Sequence, residues 1–353
     1  MKNLLITGIG GPTPRSIAKS VRRLKGEYRI IGADANPRAI GFFMPGLLDN
    51  YYVVPRVNEA HYWDTIKEII EKEGIDMAFV QPESEVIGWG EYYQIQGLYP
   101  CAVLLPPVGL SRVLIDKSSM SDVLKDTIYI PKTIRITQTE RRLTDIEGYI
   151  RYPCWIRAVR GSGGLGSLKV DNPVSLNTWL DINKDIEAYT VSEFLPGRHL
   201  ATEMLYYNGE YIKGASLECV EYVMASIAPS GVTGNTSYGR LINEDHILSF
   251  CNDSINFICK KIGVTAHGVL SFDLKEDSKG NLRVTEINIR HMAYTGVMAQ
   301  AGFDLIRDTI DILHQGTSGC VKKQPYYKYA EPWFFLRDVD TEPILLNLAD
   351  KRF

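Results

Sequence analysis

The apolar positions of this chain change period in a readable order. NLLITGI (3–9) is an almost unbroken apolar run, the mark of a buried strand. In GGPTPRSIAKSVRRLKG, Ile17, Val21 and Leu24 fall on one helical face; Thr13 is the expected cap, Pro14 the first helical residue and Gly26 the stop. YRIIGAD reads as a strand, HYWDTIKEIIEKEG as a helix and IDMAFVQP as a strand. This β-α-β alternation predicts a parallel sheet at the start of the chain.

The pattern then turns mixed. LLPPVG (104–109) reads as a linker, DKSSMSDVLKD as a short helix capped by Asp116, and IYIPKTIRI as extended chain. YPCWIRAV and GSLKV are predicted strands flanking a cluster of glycines. A helix is expected around 176–182, followed by the strand AYTVSEFL. HLATEMLYY and EYIKGASLECV form a predicted hairpin across Asn208-Gly209, a pair suited to positive φ. Residues 243–261 predict a long helix stopped by Gly263, HGVLSFDLKED and NLRVTEINIR a strand pair across SKG, and 297–314 a last long helix. The aromatic C-terminal stretch has no clear period.

Composition narrows the function classes. At 353 residues the chain is too long for one small core, which predicts two or three domains. A net charge of −3 offers no basic excess for nucleic acid, and no apolar run reaches membrane-spanning length. MKNLLITGIGG has too short an apolar part for a signal peptide. The six cysteines form no C-x-x-C pair and read as reduced thiols, which fits a cytoplasmic protein.

Two constellations carry candidate chemistry. Gly161, Ser162, Gly163, Gly164, Leu165 and Gly166 spell G-x-G-x-x-G, with Arg157 and Arg160 upstream. A dinucleotide fingerprint joins a strand to a helix, whereas here strand leads to strand. A glycine turn between antiparallel strands lets backbone N–H groups approach phosphate oxygens. A plain surface hairpin is the alternative. The second constellation is Asp273 on one strand with Glu286 and Asn288 on its neighbour. Residues i and i+2 of a strand share a face, and the short SKG turn brings Asp273 alongside. Carboxylates and an amide oxygen are hard ligands suited to Mg²⁺ held jointly with phosphates; a solvated polar face is the alternative.

In order and spacing, TGIGGPTPRSIAKSV, DKSSMSDVL…IPKT, YPCWIRAVRGSGGLGSL, EFLPGRHLATEM and FDLKEDSKGNLRVTEINIR resemble the ATP-grasp superfamily, in particular its carbamoyl-phosphate-synthase large-subunit-like branch. The resemblance covers nearly the whole chain. It implies an α/β and α+β fold: a Rossmann-like pre-ATP-grasp domain (1–107), a lid region with the glycine-rich loop (108–188), and a large subdomain with hinge and metal site (189–353). ATP would lie between the last two. Residue by residue, Lys117 and Arg157 match phosphate-binding cations, and Arg160 with Gly161–Gly166 the loop over the phosphates. Glu193, Phe194 and Leu195 match the hinge that reads adenine. Asp273, Glu286 and Asn288 match ligands of Mg²⁺ or Mn²⁺, and Arg290 the arginine facing the transferred phosphate. His199 stands where many relatives place a ribose-binding Glu, so Glu203 is an alternative ribose contact. WIRAV also lacks the usual Pro after its basic residue, and EINIR has Ile289 where Pro is common.

The implied activity is a carboxylate-amine ligase: a carboxylate attacks the γ-phosphate of ATP, and an amine attacks the resulting acyl phosphate. Small-molecule carboxylate and amine partners follow, with no nucleic acid or membrane, and a homodimer is compatible with the resemblance. Glu83 and Glu85, which follow a strand end, and His291, Thr295 and Gly296, which follow Arg290, are the candidate substrate walls; the acidic pair would suit an amino group. The expected substrates are amino-acid-like. Rivals are carbamoyl-phosphate-type chemistry, disfavoured because the chain holds one ATP-grasp half, and a silent nucleotide-binding module. An NAD-dependent oxidoreductase is a further rival, since Asp34 is placed as a ribose acid, but GIGGPT lacks the third glycine.

Overall fold

The computed structural model describes residues 2–24, 26, 28–160, 164–338 and 344–347. Three sheets organise the chain. A four-stranded parallel sheet has the order Asn50–Val53, Tyr28–Asp34, Lys2–Thr7, Met77–Phe79. Its central strands bury both faces, as their unbroken apolar runs require. A small antiparallel sheet has the order Thr133–Thr137, Ala188–Glu193, Cys154–Ala158, Leu168–Val170. A seven-stranded sheet runs Leu282–Asn288, Gly268–Glu276, His199–Tyr207, Glu210–Tyr222, Thr236–Ile242, Trp333–Leu336, Ile344–Asn347.

The local signals hold where their chemistry is strong. Asp116 caps the helix Lys117–Leu124, accepting from Ser119 N at 2.9 Å. Gly263 ends the helix Asp245–Ile262 in the left-handed conformation. The Asn208-Gly209 turn has φ of 48° and 87°. Three expectations need correction. The first helix is Pro12–Arg23 with Gly11 at the cap, so Pro12 takes the first position and Thr13 is buried inside the first turn. Residues 104–109 are not all linker, because the helix Val108–Ile115 starts directly after Pro107. The long helix expected at 297–314 is two, Thr295–Gln300 and Leu305–Gln315; Gly302 at φ +97° breaks it, and Asp304 caps the second by accepting from Arg307 N.

Packing fuses the first and last parts of the chain. One cluster joins Leu5 and Ile31 of the parallel sheet to Leu114, Met204, Ile255 and Phe272. Another joins Leu4, Ile6 and Ile17 to Ile306 and Ile310. The small sheet has its own core, from Ile134 to Val191, with Leu176 and Leu180 of the helix Pro173–Ile182. Among the described residues no helix is long and apolar enough to cross a membrane.

Candidate active site

A cavity of about 620 Å³ lies between the small sheet and the large one. Its floor follows from strand period. Gly268–Glu276 and Leu282–Asn288 pair with Asp273 opposite Glu286 and Ser271 opposite Asn288. Phe272, Leu274 and Ile287 are buried in the core behind, which turns Asp273, Glu286 and Asn288 to the cavity. Asn288 Nδ2 donates to Asp273 Oδ2 at 3.2 Å, tying the set together. Two facing carboxylates and an amide form a donor set that fits a hard divalent cation sharing its remaining positions with phosphate oxygens.

Two cations close on this set. Lys117 is the first residue of its helix and is buried, with Nζ 3.5 Å from Glu286 Oε1. Arg157, on the strand Cys154–Ala158, donates from Nη2 to the Thr285 carbonyl at 2.5 Å, and its Nη1 is 3.9 Å from Glu286 Oε2. Burial pushes the guanidinium pKa down, and the charges of Glu286 and Asp273 oppose that. His199 lies on the floor, its Nδ1 paired with the Tyr222 hydroxyl and its Nε2 3.6 Å from Asp273 Oδ1.

The hinge Glu193, Phe194 and Leu195 lines another wall. Glu193 Oε2 accepts from Lys132 N at 3.0 Å, and Lys169 Nζ lies over the Phe194 ring, 5.1 Å from its centroid. Arg198 anchors the chain after the hinge by reaching both Glu244, at 2.8 Å, and Glu276, at 2.7 Å. Gly164 lies on the cavity and Gly166 beside it, both at positive φ. Gly161, Ser162 and Gly163 lie outside the described residues. Arg160 is exposed and off the cavity, with Nε 3.2 Å from Asp116 Oδ2.

The remaining candidates are divided. Arg290 lines the cavity, and its Nη2 is 3.3 Å from Glu83 Oε1 in the parallel-sheet domain. Glu85 instead turns into the core, where it accepts from the Tyr62 hydroxyl at 3.1 Å and burial raises its pKa to about 7. Glu203 is fully buried away from the cavity; Oε1 accepts from Met292 N at 2.7 Å, and burial raises its pKa to about 7. That placement takes it off the cavity and leaves His199 as the one of the pair that lines it. His291 is buried against Phe79, and Thr295 is buried beside it. Gly296 N donates to Ser16 Oγ at 3.2 Å, docking this turn on the first helix. Asp34 is engaged as well, accepting from Gly10 N at 2.8 Å rather than standing open for a ribose.

Sequence reading missed one wall entirely. Val220, Tyr222, Ser230, Val232, Gly234 and Thr236 line the cavity from the strand ends and the connection between them. A Cβ on Gly164 would lie 2.3 Å from the Val232 carbonyl, so this connection meets the glycine turn over the cavity. Arg337 lies behind Thr236, donating to its carbonyl at 3.1 Å. No period marks the connection; its serines and glycines read only as loop.

No family profile matches the chain. A formate-dependent phosphoribosylglycinamide formyltransferase of Mycolicibacterium vanbaalenii is 29% identical over 138 residues, 36% of this chain. The match spans about a third, 33%, of that relative's length. Among solved structures, N5-carboxyaminoimidazole synthetase from Staphylococcus aureus, complexed with ADP, superposes with a TM-score of 0.69 at 13% identity, over 95% of this chain and 82% of that one. An L-amino acid ligase from Bacillus licheniformis gives a TM-score of 0.65 at 14% identity, over 95% and 79%. The chain has the ATP-grasp type of fold, α/β and α+β, that these two solved structures share with it.

Proposed function

We propose that the protein is an ADP-forming ligase that activates a small carboxylate as an acyl phosphate and passes the acyl group to an amine, with amino-acid-like substrates. One observation carries the reading: Asp273 and Glu286 face each other on the cavity floor, with Lys117 and Arg157 both directed at Glu286. Such a cluster of opposed charges is stable without ligand and is built to exchange partners when phosphates arrive.

In the first step a carboxylate oxygen of the substrate attacks the γ-phosphorus of ATP. The bond from that phosphorus to the β–γ bridging oxygen breaks, and ADP leaves with the electron pair. In the second step the amine nitrogen attacks the acyl carbon, inorganic phosphate leaves, and the nitrogen loses a proton. Lys117 and Arg157 would neutralise the phosphate oxygens, and Arg290 would orient the carboxylate. Asp273, Glu286 and Asn288 would hold Mg²⁺ or Mn²⁺, which when bound supplies charge neutralisation across the phosphates. The hinge would hold the adenine. The glycine turn and the Val232 connection would keep water from the acyl phosphate.

The test is a screen of amino acids, singly and in pairs, for ADP release with mass spectrometry of the products. ADP with a new amide is the expected result. ADP with bicarbonate alone would replace this reading with carboxyphosphate chemistry, and AMP with pyrophosphate would exclude the acyl-phosphate route.

A further inference from the structure

The cavity wall changes character across the strand His199–Tyr207. On the side of Asp273 and Glu286 it is charged. On the other side, and on the turn after Arg290, Cys219, Val220, Val232, Met292 and Tyr294 form an apolar surface, with the neutral polar side chains of Tyr222, Ser230 and Thr236 at its margin. Cys219 and Tyr294 are buried members of one apolar cluster, and Met292 packs against it, so this surface is fixed by the core behind it. The Tyr294 hydroxyl is buried with no hydrogen-bond partner among the described residues. Burial pushes its pKa far up, so it stays neutral. Glu218 is the one acid lining this side among the described residues, and Arg240 Nη1 stands 3.9 Å from its carboxylate.

A second charge on a substrate seated here would lose its water and meet, among the described lining residues of this side, only hydroxyls and Glu218, which Arg240 already faces; that is costly. Bicarbonate would leave the apolar wall uncovered. Each methylene that fills such a wall favours binding in the transition state, by roughly 10- to 200-fold.

We infer that this wall seats the non-reacting body of the carboxylate substrate, and that this body is uncharged and apolar, lying between Val220, Val232, Met292 and Tyr294 with its carboxylate toward Arg290. The inference rests on the ligase reading and narrows it to a substrate class: branched-chain or aromatic acids and the amino acids that carry such side chains.

The experiment uses the full chain and two readouts. ADP release is measured with branched-chain and aromatic acids, with size-matched dicarboxylates and with bicarbonate. Binding of the same acids is measured by calorimetry in the presence of a non-hydrolysable ATP analogue and Mg²⁺. The apolar acids should exceed the dicarboxylates by roughly tenfold or more in kcat/KM and in affinity. Val220→Lys, at a half-exposed position, should narrow that preference severalfold while analogue affinity reports that the fold is intact. Preference for dicarboxylates or bicarbonate, or a preference unmoved in V220K, overturns the inference and leaves the ligase reading standing. ADP release with no acid at all overturns the ligase reading, and the calorimetric arm then decides the substrate class: tighter binding of apolar acids sustains it, and absence of such binding overturns it.

Discussion

Glu203 and His199 sit on the same strand, four residues apart, and therefore on the same face as Asp273. Their surroundings differ because the turn after Arg290 covers one half of that face and leaves the other to the cavity. Covered, Glu203 has lost its water and gained one backbone donor from Met292, so its folded pKa of about 7 stands above the ordinary 4.5. The sign follows: the folded state holds this proton more tightly, so the stability it contributes is complete below about pH 4.5 and is lost as pH rises through about 7. Glu85 acts in the same direction. Glu203→Gln keeps an acceptor for Met292 N and removes the titration. The difference in unfolding free energy between pH 5 and pH 8 should shrink by roughly 2.5 kcal/mol in this variant, read from urea midpoints at the two pH values. Glu286 makes the opposite case, a carboxylate left on the cavity with Lys117 and Arg157 beside it. Glu286→Gln should lower ADP release by roughly a hundredfold, consistent with the several kcal/mol that a metal clamp supplies, and should also lower the melting temperature without nucleotide, because buried Lys117 and Arg157 lose their facing carboxylate. Strand period was enough to place Asp273, Glu286 and Asn288 together from sequence. It could not separate Glu203 from His199, because what separates them is a segment ninety or so residues further along the chain.

At the scale of elements, legibility followed the strength of local signals. The glycine turn was readable as a hairpin rather than a dinucleotide loop because both flanks are strands, and Cys154–Ala158 does pair antiparallel with Leu168–Val170. The connection 223–235 had no such signal, though it forms the opposing wall. The final helix was misread because Val297, Met298, Leu305, Ile306 and Ile310 keep apolar residues coming across a break marked by Gly302 and the capping Asp304. The two loops over the cavity meet at Gly164, where φ is +76° and a Cβ would press on the Val232 carbonyl at 2.3 Å. An alanine there is strained in backbone and blocked in space, a combination worth on the order of 1–3 kcal/mol. Gly164→Ala should therefore raise the Kd of an ATP analogue roughly tenfold. Hydrogen exchange of residues 164–167 and 223–235 should show less protection in the variant's nucleotide complex than in the parent's. Equal protection in both would show that the loops close without touching.

For the whole molecule, the decisive fact is that the parallel sheet shares both of its cores with later parts of the chain. Each of its faces belongs to a cluster completed from elsewhere, by Met204, Ile255 and Phe272 on one side and by Ile306 and Ile310 on the other. The small sheet has a core separate from both, so a displacement of it would disturb neither cluster. Sequence showed three regions but not this inequality, since interdomain packing leaves no mark in local period. The joint between first helix and last segment is tightest at Gly296, where a Cβ would lie 2.6 Å from Ser16 Oγ and 3.1 Å from Ser20 Oγ. Overpacking of this kind costs about 1–3 kcal/mol, so Gly296→Ala should lower the urea midpoint. Ser16→Ala alone should also destabilise, because Gly296 N then loses the hydroxyl it donates to at 3.2 Å. Together the two changes remove the obstructing oxygen while adding the methyl, so the double variant should be more stable than the sum of the single losses predicts. A double-mutant cycle measures that coupling, and hydrogen exchange followed separately in the helix Glu83–Gln96 of the first domain and in the strand His199–Tyr207 of the large sheet gives two views of the same transition. The two readings should shift together, because the first domain cannot leave the joint without opening the cores of the large one.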